Sequence, residues 1–391
     1  MAVKSVAVKS AAKRADTKKS PPKKARLKKK TCDLGFLTTV IILLVLGLMM
    51  VFSASYPSAY YTFGSGYYFI KRQLIWAIFG VIAMVITSNI SFRKYKQIAP
   101  TLFIISLLLL VVVLIPGIGK NIKGARRWLG FGPLTIQPSE IAKITLILFY
   151  AYLLEKDGAN IKKFKVLAKY ALIAAIPMGF MLLQPHFSVC IITAIPLVIM
   201  LLVAGARVRY FALAAAPVAA IGTFIAIAEP YRLARLTTFL NPFADRLGAG
   251  WQIIQSLYAI GSGGIFGLGF GNSRQKFMYV SEPQNDFIFA IICEELGFIG
   301  AIAILAVFAV LFWRGMKIAV SSPDTFSSLA VTGIISLVAC QVILNIAVVT
   351  SSIPTTGIPL PFFSAGGSSL IFLLAAMGIV LNISKYETQK I

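Results

Sequence analysis

The sequence predicts an all-α polytopic membrane protein, with about ten transmembrane helices, both termini cytoplasmic and one long extracellular loop before the eighth helix. Hydrophobic residues fill 58% of its 391 positions and charged residues only 13%, whereas an average soluble domain carries about 25% charge. Mean hydropathy is +0.84, and several apolar runs reach the roughly 18–20 residues that cross a bilayer. The formal charge of +25 matters less than its placement. Lys and Arg concentrate on alternate connections, which sets an orientation.

Residues 1–31 are rich in Lys, Arg, Ala, Ser and Pro, with Asp16 as their only acid. Such a stretch cannot bury a core and is expected to be a disordered cytoplasmic tail. It lacks the short n-region and cleavage site of a signal peptide. Contact with anionic membrane lipids is preferred over nucleic-acid binding as its role. A transmembrane domain follows over 32–385, with a cytoplasmic C-terminal tail at 386–391. Its apolar segments lie near 35–53, 73–88, 99–116, 138–154, 167–184, 187–204, 209–228, 286–313, 327–350 and 363–383. An even number of crossings returns the C-terminus to the side of the basic tail.

The charges test that topology. Arg93, Lys94 and Lys96, the lysines from Lys156 to Lys169, Arg207 and Arg209, Arg314 and Lys317, and Lys385 and Lys390 all fall on the tail's side. The exceptions are Lys120, Lys123, Arg126 and Arg127 in one short outer loop, and Arg232, Arg235, Arg246, Arg274 and Lys276 in the long loop 229–285. Cations placed against the topological preference point to an anionic ligand at the outer face, and Arg forks suit phosphate oxygens.

Cys32, Cys190, Cys293 and Cys340 show no C-x-x-C pairing, so neither a disulfide framework nor a zinc site is supported. His186 is the only histidine, which excludes His-rich metal sites.

The chain is organised around Tyr279-Val-Ser-Glu-Pro-Gln-Asn-Asp-Phe-Ile-Phe289. Asn285 and Asp286 open an apolar helix and have the side-chain acceptors of N-cap residues. A helix cap is one reading of Asp286 and a functional acid the other. The same helix takes Glu294 and Glu295 into apolar surroundings, which is expensive in lipid. At 100° per residue, Glu294 lies roughly 80° round the helix from Asp286 and Glu295 about opposite, so the three acids do not share one face. Buried hydrogen bonding to other helices is the preferred reading for that pair.

Gln137-Pro-Ser-Glu-Ile-Ala-Lys143 opens the fourth segment. Glu140 and Lys143 are three apart and face the same way, either as a structural ion pair or as the wall of a site beneath Arg126 and Arg127. The glycines of Gly261–Gly271 have no βαβ context, so close backbone packing or a re-entrant loop suits them better than nucleotide binding. Pro354–Ser369 is too broken for a helix, and irregular backbone at membrane depth must be buried in protein or line a cavity.

These stretches resemble the SEDS family (shape, elongation, division and sporulation), most closely its FtsW/SpoVE branch. The motifs are Lys-Gly-Ala-Arg-Arg-Trp128 with Gln137–Lys143, Gly250-Trp-Gln-Ile-Ile-Gln-Ser-Leu-Tyr-Ala-Ile-Gly-Ser-Gly-Gly264, the Glu282–Gly297 block, and Gly357–Ser369. RodA, the elongation homologue, shares most of them. The resemblance spans about residues 33 to 385.

The resemblance implies a peptidoglycan glycosyltransferase that polymerises undecaprenyl-linked lipid II on the outer face of the cytoplasmic membrane, at the division septum or in sporulation. It marks Asp286 as the catalytic residue. It also places Lys120, Lys123, Arg126, Arg127, Trp128, Gln137, Ser139, Glu140, Lys143, Gln255, Ser256, Lys276, Ser364 and Ser368 as candidates for substrate binding. A class B penicillin-binding protein and other divisome proteins are the implied partners, and a divalent cation, Mg²⁺ or Mn²⁺, a candidate cofactor. Many relatives read Gln-Pro-Asp where this chain has Gln184-Pro185-His186, which puts the metal in doubt.

Two other classes share parts of the pattern. A lipid flippase would use membrane carboxylates and broken helices, but no internal repeat is visible and the polar motifs cluster outside the midplane. A non-catalytic divisome scaffold would make Asp286 dispensable.

Overall fold

The computed structural model describes residues 28–29, 31–122, 124–131, 134–184, 187–227, 237–248, 250–280 and 282–387. Each apolar segment becomes a helix. These are α1 (Leu34–Phe63), α2 (Tyr68–Asn89), α3 (Phe92–Val112), α4 (Pro138–Asp157), α5 (Phe164–Leu183), α6 (Phe187–Val203) and α7 (Val208–Ile227). A short α8 (Trp251–Gly263) precedes α9 (Ile288–Ser321), α10 (Thr325–Val349) and α11 (Gly367–Ser384). Among the described residues, α1, α2, α3, α5, α9, α10 and α11 are long and apolar enough to cross a membrane. The fold is that of a polytopic α-helical membrane protein.

Polar contacts sort the helix ends into two groups. At one end Asp33 N donates to Ser384 Oγ at 3.0 Å, and Arg314 Nη1 lies 3.5 Å from Asp33 Oδ1. Asn382 Nδ2 and Lys385 Nζ both donate to Ser88 O there, at 2.7 and 2.8 Å. The strands Lys28–Lys29 and Tyr386–Glu387 pair antiparallel. The opposite end carries every motif singled out for chemistry.

That end holds an element the sequence reading took for a loop. Strands β1 (Gly119–Ile122), β2 (Ala125–Phe131) and β3 (Leu134–Ile136) form an antiparallel sheet in chain order. Ile122 pairs with Ala125, leaving a two-residue turn whose Gly124 has φ +79, a backbone angle that glycine adopts without a Cβ penalty.

α10 is the most enclosed of the candidate membrane spans, with α9 and α6 packed on it. α2 packs along α11; a Cβ at Gly80 would collide with Leu374 and one at Gly378 with Met84 O. Small residues let membrane helices approach this closely.

α9 is broken at Gly297 (φ 66, ψ −170). The segment after α8 fills the break. Leu268 N and Gly269 N donate to Glu294 O and Glu295 O at 2.9 and 3.0 Å, and Phe298 N and Ile299 N donate to Gly264 O and Ile265 O at 2.9 and 3.2 Å. Backbone groups freed by the break are thus paired, as an apolar medium demands. A Cβ at Gly263 would strike Cys293 O, and one at Gly267 would strike Glu295 O, so these glycines serve the close packing that the sequence suggested. The irregular stretch after α10 buries Ile358, Leu360, Phe362 and Phe363, while Ser352 and Gly357 stay exposed.

Candidate active site

Asp286 lies half-buried in a turn just before α9. The helix begins later than the Asn285–Asp286 pair suggests. Phe287 (φ −108, ψ 17) is the N-cap residue and makes no side-chain cap bond, while Asn285 Nδ2 donates to Glu282 Oε2 at 3.0 Å. The extra turn residue carries the Asp286 carboxylate toward the loop after α10. A Cβ built on Gly357 would lie 3.3 Å from Asp286 Oδ2.

Side chains beneath the turn hold it. Asn345 on α10 donates from Nδ2 to Asp286 O at 2.8 Å and to Ile358 O at 2.7 Å. Ser364 Oγ donates to Asn285 O at 2.7 Å and accepts from Leu360 N at 2.7 Å. Ala365 N donates to Gln284 O at 2.8 Å. Asn345 was not singled out from the sequence, although a wholly buried amide in an apolar helix is a functional signal.

Glu140 and Lys143 form the expected pair, with Lys143 Nζ 2.8 Å from Glu140 Oε1 and side chains 13% and 3% exposed. With Gln341, Leu360, Ser364 and Ser369 they line a cavity of about 40 Å³, large enough for a water molecule or two. The 359–364 loop walls this cavity and, through Ser364, also holds the Asp286 turn. Gln137 N donates to Ser368 Oγ at 3.4 Å, joining the starts of α4 and α11.

On the sheet, Lys120 and Arg126 are exposed and Trp128 half-buried. Arg127 points the other way from Arg126, as strand alternation requires, and its Nε donates to Gln184 O at 2.9 Å. Lys123 and His186 lie outside the described residues, as do Arg232 and Arg235.

Four further residues expected to bind substrate are buried. Lys276 is buried, and its Nζ donates to Glu295 Oε1 at 2.9 Å, Gly271 O at 2.6 Å and Ser53 Oγ at 3.2 Å. An ammonium has three donors, and all three are committed to the scaffold. Ser256 is fully buried and donates to Val349 O at 2.9 Å. Ser139 is also fully buried. Gln255 is 6% exposed on the inner face of α8.

Glu294 and Glu295 are engaged as acceptors, chiefly by the loop rather than by helices. Glu294 accepts from Ser273 Oγ at 2.5 Å and Arg274 N at 2.9 Å, and Glu295 from Ser53 Oγ at 2.6 Å besides Lys276. Among the described residues no three His, Cys, Asp or Glu side chains gather as a metal cluster.

Fold and site define a polytopic membrane protein that presents the half-buried Asp286 carboxylate at the bundle end that also carries a buried ion pair and a cationic sheet. The chain belongs to the cell cycle protein family of FtsW, RodA and SpoVE, whose model matches residues 34–389. It is 45% identical over 365 residues to stage V sporulation protein E of Bacillus subtilis, covering 92% of this chain and 99% of that one. It is 42% identical to the probable peptidoglycan glycosyltransferase FtsW of Trichlorobacter lovleyi, covering 90% and 93%. A chain of a solved peptidoglycan synthase complex, described as coordinating polymerization and crosslinking, superposes with a TM-score of 0.77 at 30% identity, covering 92% of this chain and 99% of that one.

Proposed function

We propose that this protein is a peptidoglycan glycosyltransferase of the cytoplasmic membrane, with Asp286 as its general base. The observation that carries the reading is the Asp286 turn: a carboxylate half-open at the bundle end, its backbone fixed from below by Asn345 and Ser364. The acceptor sugar's 4-hydroxyl gives its proton to that carboxylate as its oxygen attacks the donor's anomeric carbon. The new glycosidic bond forms as the bond to undecaprenyl pyrophosphate breaks, with inversion and no covalent enzyme intermediate. Charge growing on the pyrophosphate calls for cations; of the expected Arg126, Arg127 and Lys143, the exposed Arg126 is the leading candidate, since Arg127 is held by Gln184 O and Lys143 by Glu140.

In this reading the sheet end of the bundle is the outer membrane face and residues 229–285 belong to it. The substrate is lipid II, the partner a class B penicillin-binding protein within the divisome, and the place of action the septum, with sporulation as the variant suggested by the Bacillus relative. A divalent cation would be held mainly by substrate phosphates, the usual arrangement for Mg²⁺.

The test is glycan-strand synthesis from labelled lipid II in detergent, with the partner transpeptidase and a divalent metal present. The native chain should yield polymer and an equally folded Asp286→Ala chain none. Equal polymer from both would remove Asp286 from the mechanism.

A further inference from the structure

The Asp286 turn and the loop after α10 are both irregular, so neither is held by a regular ladder. They meet at one side chain. Asn345 is wholly buried and its single amide nitrogen donates to Asp286 O at 2.8 Å and to Ile358 O at 2.7 Å. An amide NH₂ has two donors, and each is given to a carbonyl of a different segment. Its Oδ1 is buried and lacks a hydrogen-bond partner in the structure. An orphaned acceptor in an apolar interior is unfavourable, and the amide is kept for the two carbonyls its nitrogen serves.

The geometry links this bridge to the carboxylate. Gly357 precedes Ile358, has φ +68, and faces Asp286 Oδ2 across a gap that a Cβ would narrow to 3.3 Å. Whatever fixes Ile358 O relative to Asp286 O therefore also fixes the wall against which the carboxylate rests.

We infer that Asn345 is a positioning residue for Asp286, acting by tying the backbone of the base to the backbone of its neighbouring wall. Asn345 does not touch substrate. It sets where the carboxylate stands when the acceptor hydroxyl arrives, and a displacement of about 1 Å can lower turnover by about 10²-fold. The inference rests on the reading of Asp286 as the base.

The experiment uses the full chain with its partner and labelled lipid II, normalised to folded protein. Asn345→Ala leaves room for water in place of the amide and removes the rigid bridge. Gly357→Ala keeps the Asn345 amide but strains the backbone at φ +68 and pushes on the same carboxylate, so its kcat is read per folded molecule. Both are expected to lower kcat about 10- to 100-fold with KM within about twofold. Combined, they should fall short of the product of the single effects, because they act through one group.

A merely structural role would lower the melting temperature while leaving kcat per folded molecule near native, and that result overturns the inference. So does a loss confined to KM. If Asn345→Ala does not fold, Gly357→Ala alone decides: native kcat there removes the claim that the wall sets the base. Failure of the underlying reading looks different, since Asp286→Ala would then itself make polymer.

Discussion

Lys276 and Glu295 form an ion pair at 2.9 Å with side chains only 5% and 0% exposed, tying the loop before the Asp286 turn to the broken helix behind it. Removing one partner of a buried pair strands the other charge and costs about 3–5 kcal/mol, whereas replacing both is often far milder. Lys276→Met should therefore lower the detergent melting temperature sharply, and Lys276→Met with Glu295→Gln should recover much of the loss. If Lys276→Met instead left stability intact and weakened lipid II binding, the lysine would return to the list of phosphate contacts.

Asp286 is expected to behave as a base and not as a support. The turn is held through backbone carbonyls, Asp286 O by Asn345 and Asn285 O by Ser364, so Asp286→Asn should change the melting temperature little. Turnover should fall by about 10²–10⁴, the range for losing a general base. Glycan synthesis paired with a thermal scan checks both halves, and a large loss of stability would restore a structural role.

These contrasts show what the sequence could carry. Glu140 and Lys143 were legible because ionisable groups in apolar runs are expensive and so stand out, whereas Asp286 was marked by the family resemblance, its own chemistry leaving a helix cap equally open. The helices were legible by length, though α1 runs on to Phe63 through Pro57 and α9 to Ser321. The sheet was not legible, because its strands are short, basic and glycine-punctuated. Lys276 was misassigned because its partner is 19 positions away; nothing local distinguishes a buried lysine from one that meets phosphate. Asn345 passed unnoticed because one uncharged amide barely alters the hydropathy of α10.

Gly297 should tolerate no side chain. Its φ of 66 is strained for other residues, and a Cβ would strike Gly267 N and Ile265 O. Gly297→Ala is expected to destabilise by more than the roughly 1–3 kcal/mol of backbone strain alone, since the inserted loop must also withdraw. Limited proteolysis within residues 264–280 would report that withdrawal, and unchanged cleavage with an unchanged melting temperature would refute it.

Arg126 and Arg127 are adjacent in sequence, yet β2 turns them to opposite faces. Arg127 donates to Gln184 O at 2.9 Å and so pins the sheet to the end of α5. Arg126 is exposed. Arg126→Ala should therefore raise KM for lipid II several-fold without affecting stability, and the difference should shrink at high salt, where exposed charges are screened. Arg127→Ala should lower the melting temperature as well, because it frees the carbonyl of the buried Gln184, and salt should not remove its effect. Identical salt dependence for the two variants would mean that both guanidinium groups meet the pyrophosphate, and that the sheet reorients when substrate binds.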